Sequence, residues 1–191
     1  MNKKVFLLIH IAVLALSIKG VIAQKPASDF TLTDIDGVEF SLNDYRGRVV
    51  LLDFFATWCS PCVAEIPHLK SLREEFGENL AIISISVSPS SDTVEKLMQF
   101  RQEHEIDWIV ARDTSGMNEE YGVQYIPTLV IIDQEGYIQH QHVGLTDELV
   151  LHEEIYKIIP EFPTWISMLL ILTLLTVVMA FYKRRLQKPL L

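Results

Sequence analysis

Val50-Leu51-Leu52-Asp53-Phe54-Phe55-Ala56-Thr57-Trp58-Cys59-Ser60-Pro61-Cys62 is the stretch from which the fold is read. Its first part belongs to a near-continuous apolar run, Val49 to Ala56, of the kind a central strand needs when both faces of its sheet are covered. Asp53 interrupts that run. An unpaired charge is costly to bury, so its pKa should rise. The last part holds the chain's only two cysteines, two residues apart, where a helix is expected to begin around Pro61, run to about Phe76 and end at Gly77.

Outward from this unit, strands and helices alternate. Asp29–Leu32 and Val38–Leu42 flank the turn signal Asp36-Gly37 and predict a hairpin. Leu80–Val87 reads as a second central strand, and Ser91 or Asp92 is expected to cap a helix carrying Val94, Leu97, Met98 and Arg101. After a strand at Trp108–Ala111 and a short helix near Ser115–Tyr121, Thr128–Asp133 and Tyr137–Val143 read as a second hairpin around Gln134-Glu135-Gly136. A last helix is expected over Asp147–Ile159. The class is α/β, with a mixed central sheet flanked by helices and an N-terminal hairpin extension.

Both ends of the chain read as membrane-directed. Lys3 and Lys4, an apolar run from Val5 to Ile18 and the small residue Ala23 predict a signal peptide over residues 1–23, an uncleaved anchor being the alternative. Trp165–Tyr182 contains no charged residue and is long enough for a membrane-spanning helix after a linker at 160–164. Lys183, Arg184, Arg185 and Lys188 follow, so residues 183–191 are expected on the cytoplasmic side and the domain at 24–159 outside. Pro160-Glu161-Phe162-Pro163 before the span resembles the PEF-type C-terminal sorting signals of archaea, although a plain anchor is the preferred reading. Residues 24–161 hold nine basic against 25 acidic residues, a balance of −16, compared with −9 for the whole chain. So acidic a domain is repelled by nucleic acid and anionic lipid, which argues against both as partners.

Cys59 and Cys62 call for a chemical explanation. A link closing four residues would constrain the unfolded chain by only about 2 kcal/mol and would tie no distant elements together. At a helix N-terminus the Cys59 sulfur would meet unpaired N–H groups and the positive end of the dipole, which favour a thiolate. Cys59 would then attack a substrate disulfide, and Cys62, more buried and one turn further in, would resolve the mixed disulfide. Zinc is the rival for this spacing. No second cysteine pair exists, and His140 and His142 on one strand face read better as solvated side chains, so no metal is expected.

The stretch around Cys59 resembles the thioredoxin superfamily and, within it, the membrane-bound extracytoplasmic TlpA/ResA-like branch. The similarity runs from about Ala27 to Ile159. It includes DFTLTDIDGVEFSL, YRGRVVLLDFFATWCSPC, Glu65 and Pro67 after the pair, and YGVQYIPTLVIIDQEG. The resemblance implies a thioredoxin-like fold and a cis bond at Ile126-Pro127 that faces the cysteines, and substrate contacts at Trp58, Ile126 and Pro127. It also implies a buried acid at Asp53 that accepts the proton of Cys62, with Glu65 as a second acid. Having both departs from the branch's usual pattern, and an exposed surface charge is the plainer reading of Glu65.

The implied activity is reduction of disulfides in exported proteins, as in cytochrome c maturation, with electrons from a membrane or extracytoplasmic thiol donor and no cofactor. Oxidative folding is the alternative direction. A peroxiredoxin-like peroxidase is a weaker reading, because such enzymes place a Thr three residues before the reactive Cys. Here Ala56 stands there and Thr57 is displaced by one. A non-enzymatic metal carrier is the remaining class.

Overall fold

The computed structural model describes residues 25–159, 169–176, 178–179 and 182. The chain divides into two compact units, Met1–Glu148 and Leu149–Leu191.

In the first unit, strands β1 (Lys25–Pro26), β4 (Val49–Phe55), β5 (Leu80–Ser86), β6 (Ile109–Arg112), β7 (Thr128–Ile132) and β8 (Tyr137–Val143) form one sheet in the order β1-β8-β7-β4-β5-β6. β4, β5 and β6 are parallel, whereas β7 runs antiparallel to β4 and β8 antiparallel to β7. Every residue of β4, β5 and β7 is buried, as expected of strands covered on both faces. Each Leu, Ile or Val so placed contributes about 1.5–3 kcal/mol relative to exposure.

β2 (Thr31–Thr33) and β3 (Glu39–Ser41) form the expected hairpin as a separate two-stranded sheet. Its turn is built by Asp34 Oδ1, which accepts the N–H groups of Asp36 and Val38, and by Gly37 at φ 84°. Phe30, Leu32, Phe40 and Leu42 from this extension join Val50, Leu52, Phe54, Ile83, Ile85 and Val130 in one core. Because side chains alternate along a strand, Val49, Leu51, Asp53 and Phe55 point to the other face. There the ring of Phe55 meets Phe100 of α2 (Val94–Glu103) at 5.4 Å between centroids.

Helix α1 (Ser60–Phe76) starts and stops where the residues require, with Pro61 in its first turn and Gly77 at φ 51° as its C-cap. The expected cap of α2 is corrected. Thr93, not Ser91 or Asp92, accepts the Lys96 N–H, and Asp92 is turned inward. A short helix α3 (Met117–Glu120) precedes β7.

The second unit is described at helix α4 (Glu148–Ile158), which begins one residue before the unit's boundary, and at helical positions 169–176, 178–179 and 182. Among the described residues no helix is long and apolar enough to cross a membrane. The expected span at 165–182 lies partly outside the described residues, and the expectations for 1–23, 160–164 and 183–191 lie wholly outside them.

Candidate active site

β4 delivers the chain to a tight turn in which the Cys59 N–H donates to the Ala56 carbonyl oxygen at 3.1 Å. Cys59 is the N-cap of α1, in an extended conformation, and its Sγ accepts the Cys62 N–H at 3.3 Å. The two cysteines are joined in a disulfide with Cα atoms 5.3 Å apart. A sulfur that caps a helix N-terminus is stabilised as thiolate once the disulfide is reduced. The expected contrast in burial is hardly present, at 5 % exposure for Cys59 and 3 % for Cys62. Trp58 beside them is 63 % exposed.

Asp53 is buried in the middle of β4, and its Oδ2 accepts the hydroxyl of Ser84 at 2.7 Å. Burial pushes its carboxyl up to about 7, the Ser84 hydrogen bond pulls the other way, and the charge of Glu65 adds to the rise. Glu65 is on α1, three residues after Cys62, so the Asp53 carboxylate lies within electrostatic reach of the redox helix.

Glu65 is no surface charge; it is fully buried. Its Oε2 accepts the Thr146 N–H at 2.9 Å, and its Oε1 lies 3.2 Å from His68 Nδ1. His68 Nδ1 also lies 2.9 Å from the Thr146 carbonyl oxygen. A carbonyl can only accept, so this nitrogen carries the hydrogen. Burial holds the Glu65 carboxyl above the usual carboxylate range, with the Thr146 and His68 hydrogen bonds opposing. The same segment reaches the proline loop: Thr146 Oγ1 donates to the Gly144 carbonyl oxygen at 3.1 Å, and the Gly144 N–H to the Pro127 carbonyl oxygen at 2.7 Å. The Ile126-Pro127 bond is cis, and the next residue, Thr128, pairs with Phe54 near the end of β4.

Asp92 holds the turn that leads to Cys59. Its Oδ2 accepts the Thr57 N–H at 3.0 Å and the Ser86 hydroxyl at 2.7 Å, and its Oδ1 accepts the Thr57 hydroxyl at 2.6 Å and Lys96 Nζ at 3.1 Å. Burial alone would raise this carboxyl, but the bonds from Thr57, Ser86 and Lys96 outweigh it and hold the group below the usual range. Asp92→Ala strands several donors at once. It is expected to lower stability by about 2–4 kcal/mol, read from the urea midpoint, and a loss below about 1 kcal/mol would show that the clamp contributes little. The Thr57 hydroxyl is committed to Asp92, and Ala56 stands at the position three before Cys59.

Sequence reasoning missed Ser84, His68, Thr146 and the inward role of Asp92. Only Ser84, which with Ser86 breaks an otherwise apolar strand and holds the position in β5 that Asp53 holds in β4, offered a signal. His140 and His142, the residues weighed for zinc, stack on β8 with ring centroids 6.3 Å apart.

A mixed sheet carrying a disulfide at a helix N-cap, a cis-proline at the neighbouring strand and buried acids behind them defines a thiol-disulfide oxidoreductase of thioredoxin-like fold. The chain belongs to the AhpC/TSA family, whose profile matches residues 23–141. It is similar to the thioredoxin-like protein YneN of Bacillus subtilis, 34 % identical over 65 % of this chain and 74 % of that protein. It is also similar to the thiol-disulfide oxidoreductase ResA of Bacillus thuringiensis, 31 % identical over 71 % of this chain and 78 % of that one. Among solved structures it resembles the thioredoxin domain of thiol-disulfide oxidoreductase BVU-2223 from Bacteroides vulgatus, with TM-score 0.61 and 26 % identity over 71 % of this chain and 98 % of that chain. The exposed lipoprotein thioredoxin Etrx1 of Streptococcus pneumoniae gives TM-score 0.57 and 28 % identity over 68 % and 99 % of the two chains.

Proposed function

We propose that this oxidoreductase is a dithiol reductase of disulfides in exported proteins, held at the cell membrane with its catalytic domain outside the cytoplasm. The single observation that carries the thiol-disulfide exchange is the Cys59 sulfur at the N-cap of α1, bonded to Cys62 at the helix's first turn, whereas the reductive direction rests on the resemblance to the TlpA/ResA-like branch. Cys59 is the nucleophile and Cys62 the resolving thiol, and Asp53 accepts the Cys62 proton. Glu65 supports the pair from the next turn of α1. Trp58 and the backbone at Ile126-Pro127 receive the substrate polypeptide. Residues 1–23 direct export, 24–159 form the working domain, 160–164 link it to a span at 165–182, and 183–191 remain inside. Electrons come from an extracytoplasmic or membrane thiol donor.

The reduction potential of the Cys59–Cys62 couple tests the direction. A reductase is expected near the about −270 mV of thioredoxin, whereas a value near the about −120 mV of a strong oxidant would assign oxidative folding instead. Location has its own measurement. Protease added to intact cells or spheroplasts is expected to degrade the domain, and protection until lysis would refute the orientation.

A further inference from the structure

Two residues with no part in the disulfide chemistry lie behind Asp53. Ser84 is its direct partner across β4 and β5 and is almost wholly buried. Its hydroxyl donates to Asp53 Oδ2 at 2.7 Å, while the same Oγ accepts the indole N–H of buried Trp108 at 2.9 Å. An indole N–H can only donate, and an ionised carboxylate can only accept. Trp108 therefore occupies a lone pair of Ser84 Oγ, and the hydroxyl hydrogen is directed to Asp53. Asp53 Oδ1, also buried, has no hydrogen-bond partner among the described residues. The two oxygens of one carboxylate are thus unequal, Oδ2 committed and Oδ1 open.

We propose that Ser84, oriented by Trp108, is a positioning residue that reserves Oδ1 of Asp53 for the proton of Cys62. This rests on the reading of Asp53 as the base for that thiol. In the step itself the Cys62 S–H bond breaks and its proton moves to Asp53 Oδ1. The Cys62 sulfur bonds to the Cys59 sulfur, and the bond from Cys59 to the partner's sulfur breaks. The partner leaves as a thiolate that takes a proton from solvent, and Asp53 later returns its own proton to solvent, so no outside oxidant or reductant is needed. Around Asp53, α1 brings the acid Glu65, α2 brings Phe100 against neighbouring Phe55, and β5 and β7 bring Ser84 and Leu129. Apart from Glu65 and, in the reduced protein, the Cys62 thiol of the same helix, none of these titrates, and Ser84 and Trp108 act on Asp53 through hydrogen bonding.

A hydrogen bond donated to the carboxylate favours its ionised form. Ser84→Ala should therefore move the ionisation of Asp53 to higher pH and slow resolution of the mixed disulfide at neutral pH by about tenfold. Trp108→Phe keeps a large ring but removes the N–H, and should shift both in the same direction by about threefold. Ser84→Thr restores the hydroxyl and should restore the rate. Two readouts are taken on the full-length protein in detergent between pH 5 and 9. One is stopped-flow resolution. The other is the indole N–H resonance of Trp108, identified by its loss in Trp108→Phe, which should titrate with Asp53 and stop doing so in Asp53→Asn. Midpoints in Ser84→Ala equal to wild type in both readouts would overturn the proposal, as would a Trp108 resonance that titrates unchanged in Asp53→Asn. Unaltered resolution in Asp53→Asn would remove Asp53 as the base, and the Trp108 titration would still decide separately whether Ser84 governs its ionisation.

Discussion

Protein carrying Cys59→Ser is expected to reduce insulin disulfides no faster than dithiothreitol alone, whereas Cys62→Ser should accumulate mixed disulfides with its partners. The asymmetry follows from the helix end. Cys59 caps α1 and receives the Cys62 N–H, so its sulfur carries the favoured negative charge when the pair is reduced. Cys62 lies inside the first turn, where its backbone N–H serves the cap. With Cys62 lost, attack still occurs but no second thiol releases the partner; with Cys59 lost, attack itself is absent. Non-reducing gels of the two variants after exposure to a disulfide substrate decide it, and equal trapping by both would overturn the assigned order.

Asp53→Asn has the second large effect, and it acts in opposite directions on rate and stability. The carboxyl of Asp53 ionises near pH 7 in the folded protein, against an ordinary value of 3.8. Below pH 3.8 both folded and unfolded chains hold the proton and the group contributes nothing. Between 3.8 and about 7 only the unfolded chain has released it, so the destabilisation grows, and above about 7 it is complete. The full difference corresponds to about 4 kcal/mol. The variant should therefore gain stability of a few kcal/mol at pH 8 and almost none near pH 4, as read by urea unfolding at the two pH values. Resolution of the mixed disulfide should slow while the initial attack by Cys59 stays near wild type, because the helix N-terminus already favours the Cys59 thiolate and only the Cys62 thiol needs the base. A gain in stability that is the same at pH 4 and pH 8 would refute the link to ionisation. Unchanged resolution in Asp53→Asn, with a large loss in Glu65→Gln, would move the proton to Glu65.

Much of this was legible in the residues because it is local. The apolar run of β4, the proline and glycine that bound α1, and the Asp36-Gly37 turn each depend on neighbours within a few positions, so their physics is written in short stretches of sequence. The two-residue strand β1 was not legible, since Lys25-Pro26 has no strand character of its own and is ordered only by pairing with β8. Asp92 misled for a related reason. An acid just before a helix is a good cap in isolation, yet here three donors from the β4–α1 turn and the end of β5 draw it inward and leave the cap to Thr93.

By itself the sequence determined the alternation of strands and helices, the cysteine pair at the head of a helix and the presence of one acid inside an apolar strand. Tertiary structure alone decided which groups those residues meet. Asp53 meets Ser84 because β4 and β5 align them in register, and Glu65 is buried because the loop after β8 lays the Thr146 amide against it. The cis bond at Ile126-Pro127 was implied only by family resemblance, and the fold sets it beside the end of β4. Contacts between residues 17 to 81 positions apart leave no periodicity in the chain, so the rise of the Asp53 pKa could be expected from its apolar strand, but the partners that set it could not be read before the sheet was assembled.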